Sequence, residues 1–265
     1  MRRASRVTAV SIAGSDSGGG AGIQADLLTF AAHGVHASTV VVAGTAQNTR
    51  GVVSVEAFSP RFVAAQIDAV FSDLAPAAVK IGMLFGPRHV RAVAAGLRRH
   101  GARNVVLDPV VASSGGGSLL SPAGLRAVRK DLLPLCDLVT PNLEEAAVLA
   151  GFAVERADGA RRAARKIAAL GARAVLVKGG HGPGDRIRDV LWTGRRFRVF
   201  EGPRISTTAT HGTGCALSSA IAANLALGFG VEAAVERGIR YLRGALERGF
   251  FPGGGAGVPG HVARR

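Results

Sequence analysis

Cysteine is scarce: only Cys136 and Cys215 occur in 265 residues, which excludes a disulfide framework. Lysine is nearly as rare. Lys80, Lys130, Lys166 and Lys178 are all there are, so the net charge of +15 rests almost wholly on arginine. Those arginines are scattered, in nothing longer than doublets such as Arg98-Arg99 and Arg161-Arg162. Aromatic residues make up only 5 %, too few for a base-stacking surface, and no RNA-binding sheet motif is present. The charge therefore reads as a solvated surface able to attract small anions, with no nucleic-acid partner. No apolar run approaches a membrane span, so no membrane association is expected. The basic start, Met1 to Arg6, leads into a short strand rather than a signal-peptide core, and the chain is expected in the cytoplasm. A glycine loop followed by Lys and Ser or Thr is also missing, which excludes a P-loop. Between Leu27 and Val55 there is no Asp or Glu. Gly20-Ala21-Gly22-Ile23-Gln24-Ala25 meets the loose dinucleotide pattern, but the acidic residue needed to hold a ribose is absent.

What is present is a strand-helix alternation. Hydrophobic residues reach 48 %, ample for a core. Val7 to Ala13 is a β-branched run ending in the glycine loop Gly14 to Gly20, and a helical pattern follows to Gly34. Ser38 to Ala43 reads as a strand, Gln47 to Gly51 as a turn, and Val52 to Phe58 as a shorter strand. Ser59-Pro60 opens a helix. Further strands are expected at Ala78 to Leu84, Asn104 to Leu107, Leu138 to Thr140 and Ala174 to Val177, with helices between them. Val190 to Thr193 and Phe197 to Phe200 form an antiparallel pair, and two helices close the chain, from about Gly214 and from about Val231. This order predicts an α/β fold of three layers, αβα, with a mostly parallel central sheet. Residues 1–265 read as a single domain, the tail from about Pro252 loosely ordered.

In such sheets ligands sit beyond the carboxyl ends of the strands. Gly14-Ser15-Asp16, Gln47, Met83, Asp108, Asn142 and Lys178-Gly179-Gly180-His181 all fall there. The most informative segment is Thr210-His211-Gly212-Thr213-Gly214-Cys215, where two glycines lead into a helix of small residues. Unpaired N–H groups and the positive dipole end make such a turn a phosphate cradle. A tight turn with an ordinary helix cap would have the same composition. Cys215 at that helix start is expected to have a depressed pKa, or else to be a small buried apolar residue, as Cys136 is.

Together these segments resemble one family. Ala13-Gly14-Ser15-Asp16, Gly19 to Asp26, Ala46-Gln47-Asn48-Thr49, Lys80-Ile81-Gly82-Met83, Val106 to Val110, Thr140 to Ala146, Lys178 to His181 and His211 to Cys215 are similar, in order, to hydroxymethylpyrimidine/phosphomethylpyrimidine kinases of the ribokinase-like superfamily. The resemblance spans about Val7 to Leu246. It implies ATP-dependent phosphorylation of 4-amino-5-hydroxymethyl-2-methylpyrimidine to the monophosphate and then the diphosphate, in thiamin biosynthesis, with Mg²⁺ and a homodimer. Carried over by motif, Gly14, Asp26, Gln47 and Met83 bind the pyrimidine. Asp108, Asn142 and Lys178 attend ATP, and Asp108 and Glu145 attend the metal. Gly212, Thr213 and Gly214 form the anion hole, with Cys215 beside the reacting alcohol as base or as orienting group. The bland readings are a solvent-facing Asp26, a turn-capping Gln47, a core Met83, a surface Lys178, and an Asn142–Glu145 capping box.

The chain departs from the family pattern at Thr45, commonly apolar; at Glu144, commonly proline; and in Ser113 to Gly117, which lacks an acidic residue often found there. The first is expected to alter the pocket rim and the second to add charge near the metal shell. A pyridoxal kinase of the same superfamily and a non-catalytic pyrimidine sensor are the competing readings.

Overall fold

The computed structural model describes residues 6–111, 120–155, 157–180 and 184–261. The loop 113–117 and His181 lie outside these. Among the described residues the strands are β1 (Thr8–Asp16), β2 (His36–Asn48), β3 (Gly51–Ala57), β4 (Ala78–Ile81), β5 (Val105–Leu107), β6 (Leu138–Val139), β7 (Val175–Val177), β8 (Arg186–Trp192) and β9 (Phe197–Pro203). The α-helices are α1 (Gly22–Ala32), α2 (Pro60–Leu74), α3 (Pro87–Arg99), α4 (Pro122–Ala127), α5 (Leu143–Ala150), α6 (Ala157–Ala168), α7 (Thr213–Ala226) and α8 (Val231–Glu247). One sheet runs in the order β3-β2-β1-β4-β5-β6-β7-β8-β9. The six strands from β2 to β7 in that order are parallel, and β3, β8 and β9 add antiparallel edges.

Strand alternation sorts the core into two layers. Val10, Ile12, Val79, Ile81, Val105, Leu107, Val139, Val175 and Val177 face the side covered by α2 to α6. Ala9, Ala78, Val106, Leu138 and Leu176 face α1, α7 and α8. The same alternation puts Ser11 and Lys80 on this second side, where both are fully buried. Helix α7 is buried all round from Ala216 to Leu225, which its small, apolar sequence permits.

The α/β alternation follows the reading of the sequence, and the differences fall at element ends. β2 runs through Gln47 and Asn48, because β3 pairs back as far as Asn48↔Gly51 and shrinks the expected turn. β4 stops at Ile81: the chain leaves the sheet, and Phe85 takes a left-handed conformation before Pro87 opens α3. Residues 252–261, the described part of the tail expected to be loose, are held by hydrogen bonds, and residues 262–265 lie outside the described ones. Gly255 N donates to Thr49 Oγ1 at 3.1 Å, Phe250 and Val258 pair, and Gly260 N donates to Ala245 O.

Candidate active site

The loops at the carboxyl ends of the parallel strands meet the start of α7. Gly212, at φ +81°, caps α7 without any side-chain acceptor; the Thr213 amide reaches Thr210 O at 3.3 Å, and the next amide, that of Gly214, is left to an incoming anion. A Cβ there would collide with Gly20 O, so only glycine permits this approach to the first glycine loop. A Cβ on Gly214 would lie 3.1 Å from Asp108 Oδ2 and 3.5 Å from Lys178 Nζ. The cradle therefore abuts an ion pair: Lys178 Nζ donates to Asp108 Oδ1 at 2.8 Å and stands 4.0 Å from Glu145 Oε2. Thr140 Oγ1 also donates to Asp108 Oδ1, at 3.3 Å.

Electrostatics in this half are tightly linked. Burial raises the Glu145 pKa, Lys178 opposes it, Asp108 adds to it, and the carboxyl ends at about 7. Burial alone would lower the Lys178 pKa, but Asp108 and Glu145 more than offset it, and it is raised. Asn142 and Glu145 form a complete capping box, each accepting from the other's backbone N–H at 2.8 Å. The box fixes Glu145 beside Lys178 rather than competing with that placement. Glu144 is exposed on the first turn of α5, so its charge points to solvent rather than into this cluster. Among the described residues no three His, Cys, Asp or Glu side chains converge to hold a metal unaided. Two carboxylates beside a phosphate cradle nonetheless suit Mg²⁺, which takes one or two protein carboxylates and completes its shell with phosphate and water.

The other half forms around Cys215. The backbone of Gly22 hydrogen-bonds the thiol. Gly22, at φ +56°, packs against Gly14 O, and a Cβ on Gly14 would lie 2.7 Å from Met83 Cε. Gln47 Nε2 lies 3.3 Å from His211 Nε2, the nitrogen that is 3.1 Å from Asp16 Oδ2. The Asp16 carboxylate accepts that nitrogen's proton and also binds the amides of Gly18, Gly20 and Ala21. Burial works against its charge, but these hydrogen bonds, led by His211, hold its pKa below the usual carboxylate range. Thr45 Oγ1 bonds to Gln47 Oε1 and Ser15 O, both at 3.0 Å, so the departure at Thr45 does change the rim: it orients the Gln47 amide.

Asp26 sits one layer deeper than expected. It is fully buried, with Oδ1 accepting from Ser219 Oγ at 2.7 Å and Oδ2 from Lys80 Nζ at 2.8 Å and Ser11 Oγ at 2.5 Å. Ser219 lies one turn beyond Cys215 on α7, so the Lys80–Asp26 pair supports the cysteine from below. Burial would lower the Lys80 pKa, yet Asp26, then Cys215 and Asp108, drive it upward. The Cys215 pKa is likewise not depressed. Burial raises it, Lys80 opposes, Asp26 and Asp108 add, and it rises to about 11 despite the helix start. Cys136 is buried and its thiol donates to Leu132 O, as an inert core residue should.

Sequence reasoning thus located Gly14, Gln47, Met83, Asp108, Asn142, Glu145, Lys178 and the Gly212–Cys215 turn, and the fold brings them together. It missed Ser11, Lys80, Ser219, Asp16 and His211 as working side chains. Polar residues at positions where an otherwise apolar buried strand should be apolar, as with Ser11 and Lys80, were the available signal.

The chain is similar to known proteins over most of its length. The family profile described as phosphomethylpyrimidine kinase matches residues 16–260. A hydroxymethylpyrimidine/phosphomethylpyrimidine kinase of Rhizobium meliloti is 52 % identical over 240 residues, 90 % of each chain. Among solved structures, an ADP complex of Bacillus subtilis pyridoxal kinase superposes with a TM-score of 0.91 at 34 % identity, over 97 % of this chain and 98 % of that one. A phosphomethylpyrimidine kinase of Clostridium difficile gives a TM-score of 0.81 at 39 % identity, over 90 % and 98 %.

Proposed function

The chain belongs to the phosphomethylpyrimidine kinase family, and on that footing we propose that it transfers phosphoryl groups from ATP to 4-amino-5-hydroxymethyl-2-methylpyrimidine, and then to the resulting monophosphate, for thiamin biosynthesis. The observation that carries the reading is the start of α7, free of any side-chain cap, packed against the Asp108–Lys178 pair at Gly214 and against the first glycine loop at Gly212.

Phosphoryl transfer is mainly positioning and charge neutralisation. The amides of Gly212 and Gly214 would hold the migrating group, joined by that of Thr213 if it gives up Thr210 O, and Lys178 would balance its charge. Asp108 and Glu145 would hold Mg²⁺, which supplies counter-charge to the phosphates when bound. Asn142 acts by fixing Glu145. At neutral pH a thiol titrating near 11 is protonated, so Cys215 orients the alcohol rather than deprotonating it. As the new oxygen–phosphorus bond forms, the bond to ADP breaks, and the alcohol proton leaves late in a loose transition state, to an oxygen of the transferred phosphoryl group and from there to water. In the second transfer the nucleophile is a phosphate oxygen that already carries charge and needs no base. Gln47, its carbonyl engaged by Thr45, is left with amide hydrogens for a ring nitrogen of the pyrimidine, and Met83 supplies an apolar wall.

We also read the chain as one domain acting as a homodimer. The β3 edge, where Val53 is 80 % exposed, supports a contact with a second copy. Two free cysteines fit a reducing, ATP-holding compartment such as the cytoplasm. Among the described residues no helix is long and apolar enough to cross a membrane.

The deciding experiment incubates purified protein with ATP, Mg²⁺ and the pyrimidine alcohol, and resolves mono- and diphosphate by chromatography, with pyridoxal as competitor. Sequential appearance of both products is expected. Preferential phosphorylation of pyridoxal, or pyrimidine binding without ADP release, would overturn the reading.

A further inference from the structure

Away from the phosphate cradle, a cleft of about 300 Å³ opens between the end of α1 and one face of α8. His33, Asn224, Arg237, Arg240, Tyr241 and Arg248 line it, and none of them belongs to the site described above. On α8 the spacing of 237, 240, 241, 244 and 248 follows the helical repeat, so these positions share one face. The remaining member, Gly244, lies in the last turn of α8. A Cβ there would approach Arg248 Nη1 to 3.2 Å, so the missing side chain makes room for that guanidinium.

The charge of the cleft is one-sided. It contains three guanidiniums and no carboxylate. Glu236, 3.9 Å from Arg240, is engaged more closely by Arg198 at 2.7 Å. Arg237 is oriented by neutral partners: its Nε donates to Asn224 Oδ1 at 2.7 Å, and the guanidinium sits 4.2 Å from the centre of the Phe229 ring. Among the described residues, neither Arg237 nor Arg248 has a carboxylate within 4.0 Å. Burial and then Arg237 hold the His33 imidazole below its ordinary pKa, which reports the same positive field. The wall is rigid. The His33 and Tyr241 rings lie 4.6 Å apart, Tyr241 Oη bonds His261 Nδ1 at 2.9 Å, and that nitrogen lies 3.3 Å from Thr29 Oγ1.

We propose that this cleft is a second ligand site, taking a small phosphate ester or diphosphate. Guanidiniums match phosphate oxygens in pairs, and the His33–Tyr241 rings offer an aromatic face for an organic group. A volume of about 300 Å³ is at the lower end for small-molecule sites, which limits the ligand to a few rings or phosphates. Binding here is independent of turnover in the cradle, so it stands or falls apart from the proposed reaction.

The test is calorimetric titration of inorganic pyrophosphate into the full chain saturated with ADP, without added divalent metal. Wild type is expected to give a saturable isotherm. The double variant R240A/R248A, at exposed positions and so expected to fold, should bind about tenfold more weakly or worse, each charged hydrogen bond to phosphate being among the strong ones. A control with equal charge loss on another helix, R161A/R165A, should bind as wild type does. Circular dichroism checks that each variant is folded. No saturable heat in wild type, undiminished binding in R240A/R248A, or equal loss in the control would each overturn the site. The first means no binding, the second that the cradle binds the anion, and the third diffuse attraction to a basic protein.

Discussion

Two lysines three strands apart in the sheet, Lys80 on β4 and Lys178 just after β7, each pair with a carboxylate at 2.8 Å, yet the surroundings of the pairs differ. Lys80 and Asp26 are completely shut from solvent, and both Asp26 oxygens are taken by Lys80, Ser11 and Ser219. Lys178 keeps 13 % of its side chain accessible and faces two carboxylates, Asp108 and Glu145, beside the open start of α7. A closed and fully satisfied pair can only position its neighbours. An open cluster with one cation and two anions can exchange partners with a ligand. In the proposed reaction the first would be scaffold for Cys215 and the second the surface that takes phosphate and metal.

Breaking the closed pair should have the largest effect, and on folding. Lys80→Met leaves the Asp26 carboxylate buried without its cation, which typically costs about 3–5 kcal/mol. Denaturant unfolding monitored by circular dichroism checks this, and the double variant Asp26→Leu/Lys80→Met should recover part of the loss. Equal stability of Lys80→Met and wild type would remove the distinction between the two lysines. Lys178→Ala should do the reverse, with a milder change in stability because Asp108 keeps its bond from Thr140 and the lysine removed is itself partly open to solvent. Its kcat/KM should fall about 10²–10³-fold, the usual scale for losing one charge-stabilising group, measured by ADP release. A large loss of stability with intact turnover would exchange the roles of the pairs.

Much of this was legible in the sequence because the phosphate half is written in local strings. Gly-Thr-Gly-Cys, Asn142 to Glu145, and Lys178 with its glycines each carry their backbone chemistry within a few residues. The floor of the alcohol half is not local. Ser11, Asp26, Lys80 and Ser219 come from β1, α1, β4 and α7, and only the strand order β1-β4 and the packing of α7 on them bring the four together. The expectation for Asp26 is a contact with substrate; the structure shows its carboxylate buried and bonded to Lys80, Ser11 and Ser219. The Cys215 thiol was misjudged for a related reason. A helix start favours the thiolate, but burial and the Asp26 and Asp108 carboxylates outweigh it, and neither is visible from neighbours in sequence. Gln47 reads as a turn residue locally, and only the pairing of β3 draws it into β2.

The neutral thiol gives a sharper comparison between the two transfers. A carboxylate at position 215 would suit an alcohol nucleophile but repel a phosphate monoester in the same place. Cys215→Asp should therefore depress formation of the diphosphate about tenfold more than formation of the monophosphate, roughly one like-charge contact near a protein surface after screening. Product-resolved time courses measure the ratio, and equal losses in both steps would show that charge at 215 is irrelevant. The resting protein offers a second check. With its pKa near 11, Cys215 should react with iodoacetamide at a rate still climbing through pH 9.5, where a free cysteine near pKa 8.5 has levelled off.

The smallest effect tests whether the rim of the alcohol half is preset. Thr45 Oγ1 lies 3.0 Å from Gln47 Oε1, and this contact decides which end of the amide is turned toward a ligand. Thr45→Val keeps the β-branched shape on β2 but removes the donor. Gln47 would then divide its time between two orientations, only one of which presents N–H groups. The expected loss is one neutral hydrogen bond's worth of positioning, about 1 kcal/mol, or roughly a fivefold rise in KM for the pyrimidine alcohol. The KM for ATP should hold steady, because Thr45 touches nothing in the phosphate half, and kcat should change little once the pocket is filled. A rise in both KM values would mean that the two halves are mechanically linked through β2, and no change in either would mean that Thr45 does not set the Gln47 orientation.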